Sequence, residues 1–391
     1  MATDMATDMA TELSKVISRR RRVDRSGQVT LLPVVISLVV VAVVFEIQSR
    51  YFLSARNLSD LVVEMAVVGI VALGEVFVLS IAEIDLSLGS ILGAMAALLA
   101  VLITVHGFPW WGAVLLTIVS ALCIGALQGY LIAWIRLPSF VVTLAGLLTW
   151  LGLQLLILGP RGSLNVFQPE IVDITSVYVT GWLLWLVTGI ALVWCMERAW
   201  RSFRYEYELR KGILWIVRAA VAVVAVAVLA SYRGVPLTGV ILLFLVLIAE
   251  WILTGTPAGL EVFAVGGNAE ASRRAGIDIR RVRMTVFMLS GCLAGVAAIM
   301  EVSYGQAASS LTGGGTLLLL AIGAAVIGGT SLFGGIGSAW SALLGALVLT
   351  GIANGLDLTN HSAAVKYMVE GGVVVLAVLV DRLLHPAGRQ G

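Results

Sequence analysis

The 391-residue chain is 60% hydrophobic and only 12% charged, with a mean hydropathy of +1.02. A soluble domain carries about 25% charged residues, so lipid is the solvent for most of this one. The net charge of +2 points to no nucleic-acid partner, and the alternating ten-residue segments of an outer-membrane barrel are absent.

Residues 1–27 read as a disordered basic tail: a MATD/MATD/MATE repeat, then arginines 19–22 and Arg25. The apolar run 29–47 lacks a small-residue cleavage site and is expected to be an uncleaved first span. Further apolar runs lie at 59–81, 86–105, 110–135, 138–159, 181–197, 213–231, 237–254, 284–302, 316–333, 336–356 and 363–381. At about 20 residues per crossing, the expectation is about twelve transmembrane helices, forming one unit over 28–382 and followed by a short tail at 383–391. With the amino terminus in the cytoplasm, 19 of the 25 Lys and Arg fall on cytoplasmic segments, so the positive-inside rule puts both termini there. The stretch 198–212 reads as a basic interfacial hairpin, and 160–180 as the longest external loop. Gly-Ser opens the runs at both 86–94 and 334–342, suggesting a parallel internal repeat of spans two to five against nine to twelve.

Several polar features interrupt the runs. Glu75 lies near mid-span, where an ionised carboxylate costs at least a few kcal/mol, so it should face a cavity or a partner. At 82–90, Glu83, Asp85 and Ser87 break two runs, and Asp85 or Ser87 can cap the next span. Glu250 stands near the end of its span and is expected to reach the interface. Glycines at 328–337 form a hinge before Asn354, and Gly345, Gly351 and Gly355 permit close helix contact. Cys123, Cys195 and Cys292 read as packing residues, and no Cys/His spacing suggests a metal. GxxxxGK followed by Ser or Thr does not occur, so no phosphate loop, cofactor or catalytic residue is expected.

The longest polar break is 255–283. Asn268 can cap a helix with Glu270 in its first turn and Arg273 and Arg274 in its last. Gly276 then supplies a left-handed stop. The expectation is one helix of roughly 10 Å, with a bend at Gly266 and Gly267 before it and Asp278 capping the helix after it.

Residues 263–277 resemble the cytoplasmic loop of ABC-importer permeases for ribose, xylose and related sugars, through Gly266, Gly267, Asn268, Glu270, Ala271, Gly276 and Ile277. The stretch 82–89 is similar to that family's G-E-I-D-L-S-V-G segment, with Ala82 in place of its first glycine. Residues 328–337 resemble its G-G-T-S-L-F-G-G-x-G segment. Glu-Ile-Asp and an extra pair of spans are closest to the xylose type. The resemblance implies a sugar permease of the bacterial inner membrane, acting as a homodimer with a cytoplasmic ATPase and an extracytoplasmic sugar-binding protein. It further implies that 255–283 couples to that ATPase, with Glu75, Glu83, Asp85, Ser87 and Asn354 as pathway or gating candidates. Two alternatives stand beside it: an ion-coupled secondary transporter, and an amino-acid permease of the same superfamily.

Overall fold

The computed structural model describes residues 32–204 and 209–384; the tail expected at 1–27 lies outside them, as does the one expected at 383–391 apart from its first two residues, which continue the last helix. The helices are α1 Leu32–Gln48, α2 Ala55–Ser80, α3 Leu88–Thr104, α4 Trp110–Ala133, α5 Ser139–Leu158, α6 Pro169–Ser176, α7 Gly181–Arg204, α8 Leu209–Ala230, α9 Leu237–Gly255, α10 Pro257–Gly267, α11 Ala269–Arg274, α12 Ile279–Gly305, α13 Gly315–Ile327, α14 Ala339–Leu358 and α15 Ala363–Leu384. Four short strands, β1 Ser163–Asn165, β2 Tyr178–Val179, β3 Val235–Pro236 and β4 Ala307–Ser309, form two antiparallel ribbons, β1–β4 and β2–β3. Each expected apolar run is helical over most of its length among the described residues, although 316–333 leaves its helix after Ile327. Seven of the described helices are long and apolar enough to cross a membrane unaided, while α1, α3 and α13 are apolar but shorter. The protein is an all-α polytopic membrane protein.

The core is centred on α2. Ser54 caps it by accepting from Asn57 N, and from Met65 to Ser80 every residue is buried. A helix apolar on all sides belongs inside a bundle. Its neighbours fix the topology. Against α12, Glu64 meets Tyr304, Gly74 faces Ser290 and Glu83 meets Arg283, so the two helices are antiparallel. Against α14, Asn57 meets Asn354 and Gly69 faces Ala346, again antiparallel. The α4–α12 contact repeats this pattern, with Gly129 against Met284 and Gly295 against Ala121.

Thus α2 is to α14 as α12 is to α4, and α2–α5 correspond to α12–α15. Because equivalent helices run in opposite directions, the repeat is inverted, which corrects the parallel repeat expected from the two Gly-Ser openings. Those openings belong to α3 and α14, which are not equivalent. They share a demand for small residues at crowded helix starts, whereas direction follows from the number of crossings between the halves.

Inversion brings the starts of α3 and α13 together inside the bundle. Gly313, at φ +72°, lies against Gly89 and Gly93, and a Cβ on any of the three would collide with or crowd the opposing main chain. The loop before α13 is held by Gln154, whose Nε2 donates to Ser309 O (2.7 Å) and Thr312 O (3.0 Å). At 17 and 13 residues, the two helices span about 26 and 20 Å, less than the roughly 30 Å hydrocarbon core. Broken helices of this kind recur at the repeat interface of transporters.

The expected external loop at 160–180 is largely structured. It holds β1, α6 and β2, and Thr175 bonds to Ser303 of α12 through both its N–H and its hydroxyl. The helices α7 and α8 form a peripheral hairpin. The stretch 198–212, expected as an interfacial hairpin, instead continues α7 to Arg204 and opens α8 at Leu209, and residues 205–208 lie outside the described residues. Cys123 faces outward rather than filling a packing position, and Cys195 and Cys292 are half-buried.

A Gly93→Ala variant is expected to lose about 1–3 kcal/mol of stability, because its Cβ would collide with Gln154 Oε1 and stand 2.5 Å from Thr312 O. Gly152→Ala, with nothing near its Cβ, should be neutral or stabilising. Thermal melts of the purified variants compare the two.

Candidate coupling and gating site

The stretch 255–283 holds two helices rather than the one expected. Thr256 caps α10 through Gly259 N, with Pro257 in the first turn, a position that needs no N–H. The helix α10 absorbs Gly266 and Gly267, so they do not bend the chain before α11. Gly266 instead permits close approach. A Cβ there would collide with Ser80 O at the end of α2 and stand 2.7 Å from Gly335 N, while Gly335 N itself donates to Ser80 O (3.0 Å). Three backbone segments therefore meet at one point.

The helix α11 has the expected grammar. Asn268, in an extended conformation, accepts from Ala271 N (2.9 Å). Gly276 turns left-handed at φ +88°, and its N–H and that of Ile277 return to Arg273 O and Ser272 O, a Schellman closure. Asp278 caps α12 through Arg280 N and Arg281 N. Glu270 pairs with Arg273 (3.6 Å) and Arg274 (3.4 Å); such exposed pairs contribute only tenths of a kcal/mol. The result is a helix about 9 Å long with Glu270, Ala271, Arg273 and Arg274 exposed and only Ser272 buried.

Two polar links join this region to the bundle. Arg283, in the first turns of α12, bonds to Glu83 Oε1 at 2.7 Å, with both side chains largely shielded. Glu250 Oε2 accepts from Ser338 Oγ (3.0 Å) and Ala339 N (2.9 Å). This corrects the expectation that Glu250 merely reaches the interface: its negative charge caps the start of α14, where the helix dipole favours it.

Asp85 and Ser87 also differ from the expected capping role. Ser87 precedes α3 in a helical conformation (φ −98°, ψ −11°), and its side chain makes no capping bond. It donates instead through N–H (2.9 Å) and hydroxyl (2.6 Å) to Asp85 Oδ1, and accepts from Gln128 Nε2 (2.8 Å). Glu75 is fully buried beside them. The Asp85 main chain faces its carboxyl, yet among the described residues neither Glu75 oxygen has a partner in hydrogen-bonding geometry, nor do Asp85 Oδ2 and Ser290 Oγ. Ala82, standing where the resembled segment has glycine, adopts φ +60°, a left-handed conformation that costs a residue with a Cβ roughly 1–2 kcal/mol.

The structure therefore gathers Glu75, Asp85 and Ser87, places Glu83 on the adjacent ion pair, and puts the 255–283 residues just beyond. Asn354 is elsewhere, about 24 Å along α14 from Ser338. There Asn57 Nδ2 donates to Asn354 Oδ1 (2.8 Å), Tyr304 OH donates to Glu64 Oε1 (3.5 Å), and Glu301 lies one turn before Tyr304. Gln128, Glu64, Glu301 and Tyr304 escaped sequence reasoning, although polar residues inside apolar runs were the available signal.

Comparison with known proteins supplies the context. Residues 57–378 match the family described as branched-chain amino acid transport system / permease component. The xylose transport system permease protein XylH of Escherichia coli K12 is 33% identical over 338 residues, covering 84% of this chain and 86% of the relative. The D-allose transport system permease protein AlsC of the same strain is 28% identical (88% and 89%). The ribose import permease protein RbsC of Bacillus subtilis 168 is 27% identical (93% and 97%). No solved structure matches significantly.

Removing the cap in an Asn268→Ala variant should cost about 1 kcal/mol of local stability. Hydrogen exchange at Ala271 and Ser272 should accelerate roughly fivefold, while Asn268→Asp retains protection.

Proposed function

The chain belongs to the branched-chain amino acid transport system / permease component family, and on that premise we propose that it is the membrane-spanning subunit of an ATP-driven importer for xylose or a related monosaccharide. The sugar class rests on relatives named for xylose, allose and ribose. The observation that carries the coupling role is the exposed, doubly capped α11, joined to the core through Gly266, Ser80 and Gly335. Two copies form the pathway in a bacterial inner membrane, both termini are cytoplasmic, a separate ATPase subunit binds 255–283, and a sugar-binding protein serves the opposite face.

In this reading the ATPase moves α11, which is continuous with α12 through the Asp278 cap and abuts α2 through Gly266. Displacing the start of α12 pulls Arg283 from Glu83 and frees the break at 81–87. Breaking a shielded ion pair is costly unless each partner is re-solvated, so the Glu83–Arg283 pair favours a closed cytoplasmic end until water or a partner reaches it. At the other end, Glu64, Glu301 and Tyr304 sit on membrane helices and are not fully buried. Carboxylates at such positions face a cavity or another subunit rather than lipid, which suits a pathway between two copies. Carboxylate and amide oxygens accept, and Asn and Tyr donate, matching the mixed hydrogen bonding of sugar hydroxyls.

The fully buried Glu75 beside Asp85, with no side-chain partner among the described residues, favours one second reading, an ion relay in a self-sufficient carrier. Glu75→Gln distinguishes them. The importer should retain transport in reconstituted vesicles, whereas complete loss favours the relay. The coupling role is tested by Arg273→Glu with Arg274→Glu. Membrane insertion should be normal and stimulation of the partner's ATP hydrolysis abolished; unchanged stimulation contradicts the assignment.

A further inference from the structure

The hairpin of α7 and α8 takes no part in the coupling described above. Its base, at β2 and β3, is tied to the bundle, while its tip lies at the same end as 255–283, because α9 runs from β3 to Gly255. The two helices pack on each other, and Ile190, Val193, Val221 and Val224 are each more than 60% exposed, as lipid-facing side chains are.

Toward the tip, Trp194 and Trp215 meet edge to face, their centroids 5.2 Å apart. Arg198 stands over the Trp194 ring at 5.4 Å and Arg218 over the Trp215 ring at 4.7 Å. The arginines come from different helices. Helical side chains point back toward the amino terminus, so Arg218 reaches from its apolar helix toward the tip. Among the described residues neither guanidinium has an ion-pair partner, and the nearby Glu197 is engaged by Arg201. Between 197 and 218 there are six basic and three acidic residues.

We propose that the Arg198–Trp194–Trp215–Arg218 cluster is a binding site for an anionic phospholipid, its headgroup phosphate held between the guanidiniums and its acyl chains lying along the exposed hairpin. Tryptophan favours the bilayer interface, each indole holds its arginine by a cation–π contact, and a guanidinium matches a phosphate with paired N–H donors. A second copy of the chain fits less well as occupant. At this end Glu83, Glu250, Glu270 and Asp278 already have partners, which leaves the half-buried Glu261 of α10 among the described residues there to face the arginines of a second copy.

The test is lipid competition on the purified full-length chain, with adducts counted by native mass spectrometry. Wild type should prefer phosphatidylglycerol to phosphatidylcholine, and the preference should weaken as salt rises. At about fivefold per basic side chain, Arg198→Gln with Arg218→Gln should reduce it roughly 25-fold. Both side chains are exposed, so folding is not at stake. Arg233→Gln, at the base of the hairpin, should leave the preference unchanged. Equal preference in wild type and the double variant overturns the proposal. So does full competition by inorganic phosphate, or cross-linking of hairpins between copies that excludes the lipid. None of these outcomes bears on sugar transport, so this inference and the importer reading fail separately.

Discussion

The close approach of Gly266 to Ser80, with Gly335 hydrogen-bonded to the same carbonyl, is the constraint on which the rest depends. It joins the loop helices to the end of α2, and α2 is buried along most of its length by helices from both halves of the chain. Main chain against main chain leaves little room for independent motion, since packed interiors shift between discrete arrangements rather than deforming smoothly. A push on α11 therefore arrives in the core as movement of α2, of the glycine loop before α14, or of both.

The inverted repeat explains why movement there would have consequences at the other end. The same antiparallel arrangement appears twice, α2 with α14 and α12 with α4, and α2 and α12 share the central contact. The starts of α3 and α13 meet between them, held by Gln154 and by glycines with no room for a side chain. Two groups of polar residues stand out: Glu75, Asp85, Ser87 and Gln128 near residues 255–283, and Asn57, Glu64, Tyr304 and Asn354 far from them. Polar groups among apolar helices are costly unless satisfied or wet, which is why these two groups are where a pathway would be controlled.

Local signals were legible in the sequence. Asn268, Gly276 and Asp278 act through bonds to residues within a few positions of themselves, so helix grammar alone located α11 and its boundaries. The apolar runs likewise predicted where helices would form. Signals that depend on distant partners were not legible. Gly266 looked like a bend because its reason, the Ser80 carbonyl, lies 186 positions earlier in the chain. Glu250 looked like a surface carboxylate because the amide it caps belongs to α14. Gln128 has no evident purpose until the fold sets Ser87 beside it. The direction of the repeat was obscured for a related reason: two similar glycine openings lie at positions that the fold does not make equivalent.

The central claim is that α11 lies on the cytoplasmic side and receives force from another subunit. A cysteine introduced at the exposed Ala271, probed with a membrane-impermeant thiol reagent, tests it most directly. The account predicts labelling in inside-out vesicles but not in intact cells, with protection when the ATPase subunit is bound. Labelling from the outside of intact cells would contradict it.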